Sequence, residues 1–149
     1  MIELVIDDLR VDEGWVPYVY DDATGLPIVQ GSVVEGFPTL GHGFLVDKDR
    51  GGYLPKHIGE AWLNYAAMKR WNDLCRRRPF LISLPEHAQR AVANMAYQLG
   101  VGGVLTFRNM LASLERFDFH TASREALASQ WAVQTPERAH RVANLMRGA

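Results

Sequence analysis

The chain has 149 residues, 48% of them hydrophobic and 22% charged, enough for one packed core and too few to favour two independent domains. Its net charge of −1 excludes the basic excess of a dedicated nucleic-acid binder, and its single cysteine, Cys75, excludes an intramolecular disulfide or a cysteine-based metal cluster, so folding in a reducing compartment is expected. The first ten residues carry Glu3, Asp7 and Asp8 with no basic stretch or long apolar run, and no later segment offers the roughly 18 apolar residues of a membrane span. The expectation is therefore no leader, no membrane span and no stable membrane association.

Apolar Ile2, Val5, Ile6 and Leu9 recur at helical spacing, which predicts a short helix ending around Asp12-Glu13-Gly14. Short β-prone runs follow at Tyr18-Val19-Tyr20, Pro27-Ile28-Val29 and Ser32-Val33-Val34, broken by glycines, and predict a small antiparallel sheet between about residues 14 and 54. One long helix is predicted from about 55 to 75 and closed by Pro79, with Ile58, Trp62, Tyr65, Ala66, Met68 and Leu74 tending to one side. Arg76, Arg77 and Arg78 read as its solvated end, favoured by the helix dipole. Pro85 introduces a helix from Glu86 to Leu99 that carries the most buried face and is capped by Gly100. Three more helices are predicted, at Val104 to Leu114, Thr121 to Trp131 and Pro136 to Met146, the last with Thr135 as N-cap. The fold class is α+β and mostly helical. Residues 1–149 form one domain in which a small N-terminal sheet lobe is joined by the long helix to a helical lobe, about 79–149, that also takes in the N-terminal helix.

Glycoside hydrolysis needs a proton donor for the leaving oxygen and a second carboxylate across the sugar. Glu13 at a helix end and Asp22 in the strand region that follows are two acids on different elements. Strand alternation sends Asp21 and Asp22 to opposite faces, so only one can meet a sugar. His57, His87, His120 and His140 stand too far apart for a metal site, and Gly100-Val101-Gly102-Gly103 lacks the preceding strand of a phosphate loop. No metal and no cofactor are expected.

The segments Arg10-Val11-Asp12-Glu13-Gly14, Tyr20-Asp21-Asp22-Ala23-Thr24-Gly25 and Pro38-Thr39-Leu40-Gly41-His42-Gly43 resemble the active-site region of T-even phage-type lysozymes. Two later segments, Ala93 to Gly100 and Trp131 to Arg141, resemble that family's central helix and C-terminal motif, and all five occur in the family's order. The resemblance implies a lysozyme-like fold and a muramidase acting on peptidoglycan glycan strands. It implies Glu13 as the catalytic glutamate, Asp22 as the catalytic aspartate and Thr39 as the threonine that helps hold the attacking water. It also implies Gln98 as a polar saccharide contact and Arg138 as the partner of the catalytic glutamate. Alignment on Tyr20 and Gly25 selects Asp22 and leaves Asp21 facing solvent.

Two departures stand out. Leu26 to Pro38 enlarge the family's short hairpin and bring in Glu35 as a rival carboxylate. Closing such a loop costs only about (3/2)RT ln n, so Thr39 can still return to the site. Phe44 stands where the family usually has histidine, and His42 lies between Gly41 and Gly43, either as a base or saccharide contact or as an ordinary strand residue. A lytic transglycosylase using Glu13 alone is the same-class alternative. A non-catalytic wall-binding or helix-turn-helix module is the other, with only Arg108 and Asn109 to offer nucleic acid. The expectation is a monomeric phage endolysin, made in the host bacterial cytoplasm and acting on the wall after release through a membrane lesion, without nucleic-acid partners. A tail-associated lysozyme domain is the variant of that reading.

Overall fold

The computed structural model describes residues 10–12, 14–46 and 54–149, which divide into two compact units, 1–59 and 60–149. Glu13 and the predicted helical positions from Ile2 to Leu9 lie outside the described residues.

In the first unit, Arg10 to Asp12 are helical, and Gly14 takes a left-handed φ of 64° before the chain turns extended. Three antiparallel strands follow in the order β1 (Val16–Asp21), β2 (Pro38–Gly41) and β3 (Phe44–Leu45). Strand β1 reads VPYVYD, and its β-branched and aromatic residues suit a half-covered pleated surface. Pro17 has no N–H to give a ladder, and it falls where the β1–β2 register is interrupted between Val16 and Tyr20. The pairing resumes at Tyr20 with Thr39 and Asp21 with Pro38.

The sheet predicted at 14–54 is therefore present, but its strands differ from the sequence expectation. Residues 27–34 form no strand; Pro27 makes a single bridge to Tyr20, and Ile28 donates one backbone bond to Val19. Val29 and Val33 stay exposed. β-propensity is realised only when a neighbouring strand takes up the backbone, and on this edge of β1 the pairing ends after Ile28, where the chain turns and Ser32 donates its N–H to Val29 O.

The long helix α1 (Lys56–Arg77) runs two residues past its predicted end, and Arg76 and Arg77 do occupy its last turn. Of its residues only Leu74 is buried; Ile58, Trp62, Tyr65 and Met68 are exposed. A 3₁₀ turn, Pro79–Ser83, which the sequence reading lacked, links it to α2 (Glu86–Leu105). Helix α2 breaks at Gly100 (φ 71°, ψ 169°) as its capping role predicts, then resumes through Val101 and absorbs Val104. The remaining helices are α3 (Arg108–Glu115), α4 (Phe119–Leu127), α5 (Gln130–Gln134) and α6 (Pro136–Arg147). The helix predicted from Thr121 to Trp131 is thus two helices. Ser129 accepts the Ala132 N–H and starts α5, while Asp118 caps α4 through the Thr121 N–H. Thr135 precedes α6 as expected, yet its hydroxyl donates to Trp131 O instead of capping.

The core of the second unit gathers Leu74, Leu81, Val92, Met95, Val104, Met110, Leu114 and Met146, all at 0% exposure. Each such side chain contributes about 1.5–3 kcal/mol on burial. Strands and helices together give the mostly helical α+β class. Among the described residues no helix is long and apolar enough to cross a membrane, and no three acidic, histidine or cysteine side chains form a metal-holding group.

Candidate active site

In the first unit two adjacent carboxylates leave the end of β1 and meet the loop that returns from residue 26 to β2. Asp22 follows β1 directly. Its Oδ1 accepts the Phe37 N–H at 2.6 Å, and its own N–H donates to Phe37 O at 3.2 Å. The Thr39 hydroxyl donates to the same carbonyl at 3.0 Å. Phe37 is therefore the common partner that brings Asp22 and Thr39 together across the enlarged hairpin. The register agrees, since Thr39 lies opposite Tyr20, two residues before Asp22.

The two side chains differ in access. Asp22 is exposed, and its Oδ2 meets no donor among the described residues, which leaves it available as an acceptor. Thr39 is only 2% exposed with its proton committed to Phe37, so what its hydroxyl retains is acceptor lone pairs.

Asp21 corrects the sequence reading. It does not face solvent but is 3% exposed, and its carboxylate accepts three backbone N–H groups: Ala23 at 3.0 Å and Gly36 at 2.9 Å on Oδ1, and Glu35 at 2.7 Å on Oδ2. The Glu35 N–H, helped by those of Ala23 and Gly36, outweighs the cost of burial and holds the carboxyl below its ordinary value of 3.8. Alternation did separate the faces of Asp21 and Asp22. What sequence alone could not show is that residues 35–37 fold back over the Asp21 face.

Gly36 permits that approach. A Cβ there would lie 2.1 Å from Asp22 Oδ1 and 2.7 Å from the Ala23 nitrogen, closer than any side chain tolerates. Glu35 contributes its backbone N–H to Asp21, while its side chain is exposed.

His42 is not a strand residue. It sits in the turn between β2 and β3, flanked by Gly41 and Gly43, each with a φ of 70° that favours glycine. Its Nδ1 meets Gly14 O, and its ring lies tilted against Trp15 at 5.1 Å.

In the second unit, Gln98 and Arg138 meet the same face of α2. Asn94 and Gln98 are one turn apart, so their side chains point the same way. Asn94 Oδ1 accepts from Arg138 Nε at 2.9 Å, and Asn94 O accepts from Nη2 at 3.2 Å. Gln98 Oε1 accepts the Trp131 indole N–H at 2.9 Å, and Trp131 packs edge-on against Phe107. Asn94 lay within a segment singled out in the sequence, but nothing there marked it as the partner of Arg138. Trp131 also borders a concavity of about 460 Å³ whose lining includes Phe107, Asn109, Glu125 and Gln134. Asn109 donates to Glu125 there at 3.1 Å.

No family model matches the chain. Over 159 aligned positions it is 29% identical to the pre-baseplate central spike protein Gp5 of Enterobacteria phage T4, an alignment covering 90% of this chain and 26% of the spike protein. It is 39% identical over 56 residues to the probable T4-type lysozyme 1 of Dictyostelium discoideum, and 35% identical over 60 residues to the probable T4-type lysozyme 2 of the same organism. Those two alignments take in 38% and 40% of this chain, and 33% and 35% of the lysozymes. The chain thus spans between about a quarter and about a third of the length of these relatives.

The chain is distantly homologous to T4-type lysozymes.

Proposed function

We propose that this chain is a peptidoglycan muramidase that hydrolyses the β-1,4 bond between N-acetylmuramic acid and N-acetylglucosamine. The observation that carries the reading is the shared hold of Asp22 and Thr39 on Phe37, in a chain homologous to T4-type lysozymes. A hydrolase that inverts needs a carboxylate on the water's side of the sugar to take the water's proton, a role that a reaction without water does not require.

In the proposed mechanism Glu13 gives its proton to the glycosidic oxygen as the bond from C1 to that oxygen breaks. Water adds to C1 from the opposite face and loses its proton to Asp22. With carboxyl groups about 6.5–9.5 Å apart this sequence inverts the anomeric centre. The Asp22 carboxylate keeps Oδ2 available for that proton while Oδ1 is anchored on Phe37. Gln98 and Arg138 serve as substrate-binding groups, positioned by Trp131 and Asn94. The aromatic and amide groups around the concavity by Trp131 are of the kind that bind N-acetylated saccharides and short peptides. His42 and Glu35 are the remaining candidates for substrate contact, one from the β2–β3 turn and one from the enlarged loop.

The biological role proposed with this activity is that of an endolysin, made in the host cytoplasm and reaching the wall through a separate membrane lesion. The alignment covering 90% of this chain favours a second reading, because the relative is a pre-baseplate central spike protein. In that case the muramidase is carried on the virion. Immunoblots of purified particles against the cleared lysate separate the two.

Muropeptides released from purified peptidoglycan by the wild type, Glu13→Gln and Asp22→Asn test the activity itself. Reducing-end muramic acid products, lost in both variants, support the reading. Anhydro products with Asp22 dispensable would replace it with a transglycosylase, and no release by the wild type would leave a binding module.

A further inference from the structure

Asp21 and Asp22 are consecutive, yet only one presents an oxygen outward. Both oxygens of Asp21 are taken by backbone N–H groups inside the protein, whereas Asp22 has Oδ2 to spare. The donors on these carboxylates are consecutive as well: Glu35 and Gly36 give their N–H groups to Asp21, and Phe37 gives its own to Asp22. The next residue, Pro38, is the β2 partner of Asp21 and has no N–H to offer. The backbone groups of this pair point away from each other, since the Asp21 N–H donates to Leu26 O, the Asp21 carbonyl accepts the Gly25 N–H and Pro38 O accepts the Val46 N–H, so it is the side chain of Asp21 that reaches the two amides before Phe37.

We propose that Asp21 is the positioning residue for Asp22, gripping the backbone at 35–36 so that Phe37 is held in place to bind the Asp22 carboxylate. The inference rests on the muramidase reading, in which Asp22 is the second carboxylate. Asp21 is no catalytic group, since a side chain at 3% exposure with three N–H partners does not reach a substrate. Burying its charge is tolerable only because those three charge-assisted bonds replace water. This is also how an enlarged loop can be accommodated without loosening the site. The loop contributes three successive N–H groups, and two adjacent carboxylates receive them.

The chemistry predicts a graded response. Asp21→Asn keeps one acceptor oxygen for Ala23 and Gly36 but turns an amide N–H toward the Glu35 N–H, so it loses one grip of three. Asp21→Ala loses all three. The test measures kcat and KM on purified peptidoglycan well below each variant's melting temperature, together with hydrogen exchange at the Phe37 amide. That amide bonds Asp22 and not Asp21, so a role confined to local stability of the Asp21 site leaves it unmoved. The expected result is a fall in kcat of about tenfold for Asn and about a hundredfold for Ala, with KM within about twofold and faster Phe37 exchange in the same order. Unchanged kcat in both variants, or unchanged Phe37 protection, overturns the proposal. Should Asp21→Ala fail to fold, Asp21→Asn carries the comparison. Should Asp22→Asn retain wild-type kcat, the muramidase reading is what fails, and the exchange data alone then decide whether Asp21 holds the loop.

Discussion

Replacing Gly36 with alanine is the smallest change that should disable the site. The added Cβ would lie 2.1 Å from Asp22 Oδ1, whereas ordinary van der Waals contact begins near 3.4 Å, so the carboxylate must retreat by the difference, about 1.3 Å. Rotation of Asp22 alone does not relieve the strain. The same Cβ would lie 2.7 Å from the Ala23 nitrogen and 2.8 Å from the Ala23 Cβ, so the turn after β1 must move too. The 2.6 Å bond from Phe37 to Asp22 cannot survive that displacement. A 1 Å misplacement of a reacting group costs on the order of a hundredfold in rate, and overpacking costs about 1–3 kcal/mol in stability. The assay is the initial rate of muropeptide release at a temperature where circular dichroism shows the variant folded. A folded Gly36→Ala protein with kcat within about twofold of wild type would refute the reasoning, because Asp22 would then tolerate being moved.

Gly102 provides the matching control, since it lies in the resumed part of α2 with open space around a Cβ and no left-handed φ; Gly102→Ala should raise stability by about 0.4–1 kcal/mol in chemical denaturation and leave activity unchanged. Gln98→Leu removes the acceptor from the Trp131 indole N–H, and with Trp131 at 4% exposure this should cost about 1–3 kcal/mol by the same measurement. Acid stability should report on Asp21. Its folded-state carboxyl titrates below its ordinary value of 3.8, so its contribution is complete above that value and is lost as pH falls through the lower folded one. Melting temperatures below about pH 4 should therefore fall more steeply for wild type than for Asp21→Asn, and parallel curves would contradict the assignment.

Helix starts and stops were the most legible part of the sequence, because the signals are local. Pro136 opens α6, Gly100 interrupts α2, and the arginine run ends α1, each through the chemistry of one or two residues. Ser129 shows the limit of such signals. It reads as one polar residue within a helical stretch, and only the bonds it makes to Ala126 O and from Ala132 N turn it into the start of a new helix. The strands expected at Pro27-Ile28-Val29 and Ser32-Val33-Val34 failed for the opposite reason. Strand formation depends on a partner that takes up the backbone along its length, and residues 27–34 find only the Pro27 bridge and the Ile28 bond on the free edge of β1 before the chain turns at Val29 to Ser32.

In the candidate site, Asp22 and Thr39 could be singled out by motif, but their link through Phe37 could not. It depends on how the loop from Leu26 to Phe37 returns, and Asp21, Gly36 and Phe37 act there through backbone contacts that leave no residue-type signature. Asn94 is a similar case, since its role is defined by Arg138 arriving from 44 positions away.

Digestion of purified peptidoglycan in heavy-oxygen water, with mass spectrometry of the released muropeptides, tests the central claim most directly. Hydrolysis by two carboxylates predicts reducing-end muramic acid carrying one heavy oxygen at C1, formed by wild type and abolished in Glu13→Gln and Asp22→Asn. Unlabelled anhydro-muramic acid ends, produced equally well without the Asp22 carboxylate, would contradict it.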